Sequence, residues 1–241
     1  MELLMELLRH VHVLAGALGL LLFWLPIFSR KGSPLHRRAG RYFLWCVYLI
    51  GSTSLLSVSV RFGSELAHGR TPTALPLFGF MVLLAYLGVT VLVGAWYMRH
   101  VLIQKHDLAG LRRPLAWWLI GLSALSSAVL FAVAWSVPSS ANVLLYALSP
   151  LGLLNSWTMS RHLRRPDREP RAWFFEHMGH GIGLGIAFHA AFFVFGARVV
   201  FAQWLVGFWG LLPWLAPVVI GVTANMLWER YYRRRWAQVM S

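Results

Sequence analysis

The chain has 241 residues, of which 58% are hydrophobic and 12% charged, whereas soluble domains carry about 25% charged residues. That balance excludes an ordinary water-soluble enzyme and points to a helical protein embedded in a membrane. One cysteine, Cys46, excludes an intramolecular disulfide, and the formal charge of +14 takes its meaning from where the basic residues fall.

In chain order, MELLMELLRH at 1–10 places Glu2, Glu6 and Arg9 on one helical stripe. The stripe predicts that the first helix extends into the outer interface. AGA at 15–17 lies inside the first apolar run rather than after it, so no cleaved signal peptide is expected. Seven runs are long enough to cross a bilayer, which takes about 20 residues: 8–29, 42–61, 77–98, 115–136, 141–159, 172–197 and 202–228. The fifth is the shortest and carries Pro150, where a kink is tolerable if a neighbouring helix satisfies the freed carbonyl. The seventh carries Pro213 and Pro217 and is expected to bend or break. Between the runs, GSP at 32–34, RTPTALP at 70–76 and RRPDREP at 164–170 are turn chemistry. Small polar faces, Ser52 to Ser59 in the second run and Ser123, Ser126 and Ser127 in the fourth, suit close helix packing or, alternatively, a polar cavity lining.

Seven spans sort the charge by side. Eighteen of the 22 Lys and Arg fall in loops 1–2, 3–4 and 5–6 and the tail, leaving Arg9, Arg61, Arg70 and Arg198 opposite. The positive-inside rule then puts the N-terminus outside and the C-terminus in the cytoplasm. The basicity is a topology signal with some attraction to anionic lipid, and nucleic acid is not an expected partner. The fold expected is all-α, a single seven-helix transmembrane bundle over 1–241, with the bilayer as partner and room for a membrane protein partner or a second copy.

His12, Gly16 and the basic stretch His36, Arg37, Gly40 and Arg41 form a pattern: a histidine, a glycine four residues on, an apolar helix, then His-Arg-x-x-Gly-Arg. His12 to Trp45 so resembles the opening of a widespread group of bacterial integral membrane proteins of the domain-of-unknown-function type. Trp173 to Gly196 is similar to that group's histidine-bearing penultimate helix, most clearly at His177. The resemblance implies a multi-pass protein of the bacterial cytoplasmic membrane. It carries no established activity, and haem appears in the group only by analogy with haem-carrying bundles.

The sixth run holds EHMGHGIGLGIAFH at 176–189, and ionisable groups at membrane depth are costly enough to suggest function. Helical phase puts His177 and His180 about 60° apart on one face, with His189 about 180° from His180 and about 18 Å along the axis from His177. One ion cannot take all three. Two b-type haems near opposite faces are one reading, His12 pairing with His189 outside and His177 or His180 with His100 inside. The glycines at 179, 181, 183 and 185 would give a flat macrocycle room. A second reading is a Zn or Fe site on His177, His180 and Glu176, completed by His100 or His36, serving a membrane enzyme through metal-activated water. A third needs no cofactor: the histidines are interfacial or hydrogen-bonded, the glycines form two packing faces, and the protein is a carrier or accessory subunit. His36, Arg37, Arg38 and Arg41 would then contact a lipid headgroup or a partner. Whether the protein is an enzyme stays open, and a retinal protein is excluded because both lysines, Lys31 and Lys105, lie in loops.

Overall fold

The computed structural model describes residues 2–75, 77–137, 142–164, 171–196, 209 and 212–240. The described residues are helical, with short turns between and no strand among them. The helices are α1 (Glu2–Phe28), α2 (Pro34–Ala67), α3 (Phe78–Ile103), the single turn α4 (Leu108–Leu111), α5 (Pro114–Ser136), α6 (Asn142–Leu148), α7 (Pro150–Arg164), α8 (Ala172–Ala191) and α9 (Leu212–Met240). A 3-10 turn at Pro72–Ala74 precedes α3, and a five-residue π-helical stretch, Phe192–Gly196, prolongs α8. Five helical stretches are long and apolar enough to cross a membrane: α1, α2, α3, α5 and Ala172–Gly196. Residues 202–208, 210 and 211 of the seventh expected span lie outside the described residues, as do Arg165, Arg168 and Arg198.

Boundaries shift where local chemistry decides them. Glu2 begins α1, so the MELLMELLRH stripe is helical. The stretch HRRAGR, expected as a loop, forms the first turns of α2. Ser33 caps that helix by accepting from the His36 backbone N–H at 3.2 Å, and Pro34 follows at a first-turn position where its missing N–H costs nothing. The expected fifth span is broken into α6 and α7 at Ser149 and Pro150. The continuous helix would pair the Leu148 carbonyl with the Gly152 N–H. The Tyr86 hydroxyl of α3 sits between them instead, donating to Leu148 O at 2.8 Å and accepting from Gly152 N at 2.9 Å.

α3 is the hub. It packs on α2, α5 and α8, and its side chains enter all three buried clusters. Phe43, Val47, Ala95, Met98, Leu184 and Phe188 join α2, α3 and α8 in one of them. α1 packs on α2 and touches α8, and α9 packs on α8. Close approach depends on small residues. A Cβ on Gly51 of α2 would stand 3.2 Å from the Gly88 carbonyl of α3, and one on Gly88 would stand 3.1 Å from the Gly51 carbonyl. Ser123 and Ser127 are buried, and Ser123 Oγ donates to the Gly152 carbonyl of α7 at 3.2 Å. That stripe is therefore a packing face. Outward faces remain apolar, with Leu21 71% and Leu125 61% exposed, as a lipid-facing surface requires.

Cation–π contacts and side-chain capping bonds gather the basic segments at one end. Lys31 lies 5.5 Å from the Trp228 ring of α9, Lys105 5.8 Å from Trp173 and Arg171 4.4 Å from Trp236. Arg112 Nε donates to the Leu163 carbonyl at the end of α7 at 2.6 Å. Lys31 also donates to the Pro26 and Ile27 carbonyls at 2.9 and 3.0 Å, capping α1, and burial pushes its ammonium pKa below the usual lysine value.

Candidate functional site: a histidine cluster at the basic end

Toward the basic end, α8 brings Glu176, His177 and His180 against α2 and α3. His177 Nδ1 donates to the Met98 carbonyl of α3 at 3.3 Å. His36, in the first turn of α2, turns inward and donates from Nδ1 to the Pro26 carbonyl at 3.2 Å. The His36 and His177 rings lie 6.5 Å apart, centroid to centroid, at 59°. One turn along α8, His180 Nε2 is 3.7 Å from the Glu176 carboxylate, and its ring stands edge-on to Tyr97 at 4.8 Å. A 2.6 Å hydrogen bond joins the Tyr97 hydroxyl to Nδ1 of His162, which is buried within α7.

These bonds set the tautomers. A carbonyl only accepts, so His36 and His177 both carry the proton on Nδ1 and present a bare Nε2. His10, His68, His100 and His189 do the same toward the carbonyls four residues earlier. His12 Nδ1 meets Thr53 Oγ1 at 3.0 Å. The Thr53 hydroxyl donates to the Leu49 and Ile50 carbonyls, so it accepts from His12. A histidine ready to ligate has this form, with one ring nitrogen held by a backbone or side-chain acceptor and the other free.

The expected site residues distribute as follows. His177 and His180 share a face of α8, as helical phase requires, but engage different neighbours. His100 is not brought to either: it stacks on Trp96 of its own helix at 4.1 Å. His12 and His189 are not brought together, although α1 and α8 touch. The His189 ring sits 5.4 Å from both Phe23 and Trp24, eleven and twelve positions beyond His12, or about 16–18 Å of helical rise. Among the described residues, no three His, Cys, Asp or Glu side chains are grouped to hold a metal ion, the set His177, His180 and Glu176 included. Arg37, Arg38 and Arg41 are exposed beside the inward-turned His36.

The glycines of α8 divide by face. Gly185 meets the Phe23 ring, and a Cβ on Gly181 would stand 3.2 Å from the Met98 sulfur, so this pair is a tight packing face. Gly183 faces open space, and a Cβ on Gly179 would reach only Asn225, at 3.9 Å.

His36 falls between the first two expected spans and His162 just past the fifth, so both were expected in loops. Nothing local to His162 marks its burial, which depends on Tyr97. His36 had one signal, its position one helical turn before the buried Ala39 and half-buried Gly40 on the start of α2. Compared with protein families, curated proteins and solved structures, the chain shows no match.

Proposed function

We propose that the chain is a seven-span protein of a bacterial cytoplasmic membrane, N-terminus outside, and that His36 and His177 would hold a b-type haem, which would supply single-electron transfer near the cytoplasmic face. The carrying observation is the pair itself: two imidazoles from different helices, each held through Nδ1 by a backbone carbonyl, 6.5 Å apart. A metal about 2 Å from one ring nitrogen of each would suit rings at this separation. A structural zinc asks for four protein ligands and a catalytic one for three. A haem brings four ring nitrogens of its own and would ask the protein for only two, the number this pair could supply. A Cβ on Gly40 or Gly179 would make one ordinary contact, with Pro26 at 4.0 Å or Asn225 at 3.9 Å, so neither position is tightly packed. Haem held in this way carries single electrons at a potential tuned by its surroundings.

The topology rests on the gathering of Lys31, Lys105, Arg112 and Arg171 at one end. A metal-dependent enzyme is the second reading, favoured by the Glu176 carboxylate beside His180. Reduced-minus-oxidised absorbance of detergent-purified protein, expressed with ample haem, tests the proposal. The expected result is a Soret and α-band pair at one haem per chain. Protein without a Soret band overturns it, and stoichiometric zinc or iron in that protein favours the second reading.

A further inference from the structure

Away from the histidine cluster, α5 and α7 line an open groove of about 670 Å³, within the roughly 300–1,000 Å³ of ligand clefts. Its floor is apolar. Ile120, Gly121 and Ala124 of α5 face Leu153 and Trp157 of α7. Two serines also line it: the half-buried Ser160 and Ser156, whose buried Oγ is turned to the Ile120 and Gly152 carbonyls at 2.8 and 2.7 Å. Gly121 keeps the groove open: a Cβ there would meet no atom within 4 Å. Leu153 and Trp157 are 51% and 59% exposed, so the groove opens sideways on the apolar surface rather than into the bundle.

One end of the groove is strongly cationic. Arg161 and Arg164 line it at i and i+3 on α7, one face of the helix. The Arg161 guanidinium lies 5.0 Å from the Trp157 ring and that of Arg164 5.5 Å from Trp117. Stacking on an indole face leaves the in-plane N–H donors of a guanidinium directed outward, the arrangement that grips a phosphate. Among the described residues neither arginine pairs with a carboxylate. From Leu153 to Arg164 the groove runs about 16 Å, half the roughly 30 Å hydrocarbon core. It matches one leaflet, headgroup end to midplane.

We infer that this groove is a binding site for one anionic phospholipid, its phosphate on Arg161 and Arg164 and one acyl chain against Gly121 and Ala124. Both halves of the ligand are required. A free phosphate leaves the apolar floor unfilled, and a zwitterionic lipid sets a cation against the arginines. Basic pockets between helices at the membrane surface bind anionic headgroups for these reasons. The site is separate from the proposed haem ligands and does not depend on them.

Native mass spectrometry of the full chain in neutral detergent tests the inference, with phosphatidylglycerol and phosphatidylcholine as probes. Wild type should retain one phosphatidylglycerol in preference to phosphatidylcholine by about tenfold. Arg161→Gln with Arg164→Gln should abolish the preference. Gly121→Leu, which fills the groove and leaves the arginines in place, should weaken phosphatidylglycerol retention by a similar factor. Equal retention of the two lipids by wild type would overturn the inference, as would a preference that survives the double substitution. Retention unchanged in Gly121→Leu removes the acyl chain from the groove, and displacement by glycerophosphoglycerol alone reassigns the arginines to a soluble anion.

Discussion

At the residue scale, the account turns on which nitrogen each imidazole presents. His36 and His177 spend Nδ1 on the Pro26 and Met98 carbonyls, so their function is a matter of what their Nε2 atoms meet. The glycines of α8 give a prediction independent of any cofactor. Gly185→Ala drives a methyl into the Phe23 ring, which Phe43 and Trp24 already flank, and should destabilise by about 1–3 kcal/mol. Gly183→Ala meets nothing and should be neutral or stabilising by up to about 1 kcal/mol. Thermal unfolding of the two variants in detergent checks the contrast, and equal effects would mean that α1 and α8 are not in contact at Phe23. Helical phase alone separated the His177 and His180 pair from His189, because both phase and rise are intrinsic to one helix. It did not reveal that His100 stacks on Trp96 or that His36 turns inward. Those orientations are chosen by neighbours on the same turn and on the preceding helix, and spacing carries no record of them.

At the element scale, the break between α6 and α7 shows what a proline costs in an apolar medium and how the cost is met. A span could be expected to kink at Pro150, but the group that heals it lies 64 positions earlier in the chain, at Tyr86. Its hydroxyl is inserted into the Leu148–Gly152 backbone pair. Tyr86→Phe keeps the ring and removes the bridge, leaving a buried carbonyl and N–H short of a partner, and should cost about 1–3 kcal/mol. Gly152→Ala should be at least as damaging, because the methyl would lie 2.7 Å from the Ser123 backbone carbonyl of α5, which cannot rotate away as a side chain can. Urea unfolding in mild detergent measures both. A Tyr86→Phe variant as stable as wild type would mean that the direct 148–152 bond re-forms without loss. Helix ends were less legible than helix cores: α2 starts eight residues before its expected apolar run, at Pro34, because the Ser33 cap and Pro34 favour helix there whatever the polarity of Arg37, Arg38 and Arg41.

At the scale of the whole molecule, apolar runs and one-sided charge were enough to anticipate an all-helical chain with several membrane-length helices, five of which the structure shows. The partnership of helices was not readable. α3 could not be singled out as the hub, since its distinction is the number of neighbours it buries against, and every long run is comparably apolar. The proposed topology has a direct check. In a Cys46→Ser background, Leu3→Cys should react with a membrane-impermeant thiol reagent in intact cells, and His106→Cys should react only after the membrane is opened. Labelling of both in intact cells contradicts an odd number of crossings between them. The central claim, that one pair of histidines on α2 and α8 holds the redox group, is tested most directly by haem content across four single substitutions. His36→Ala and His177→Ala should each lose the bound haem, while His12→Ala and His189→Ala should retain it at the wild-type ratio. Loss in His12→Ala and His189→Ala with retention in the other two would contradict the account.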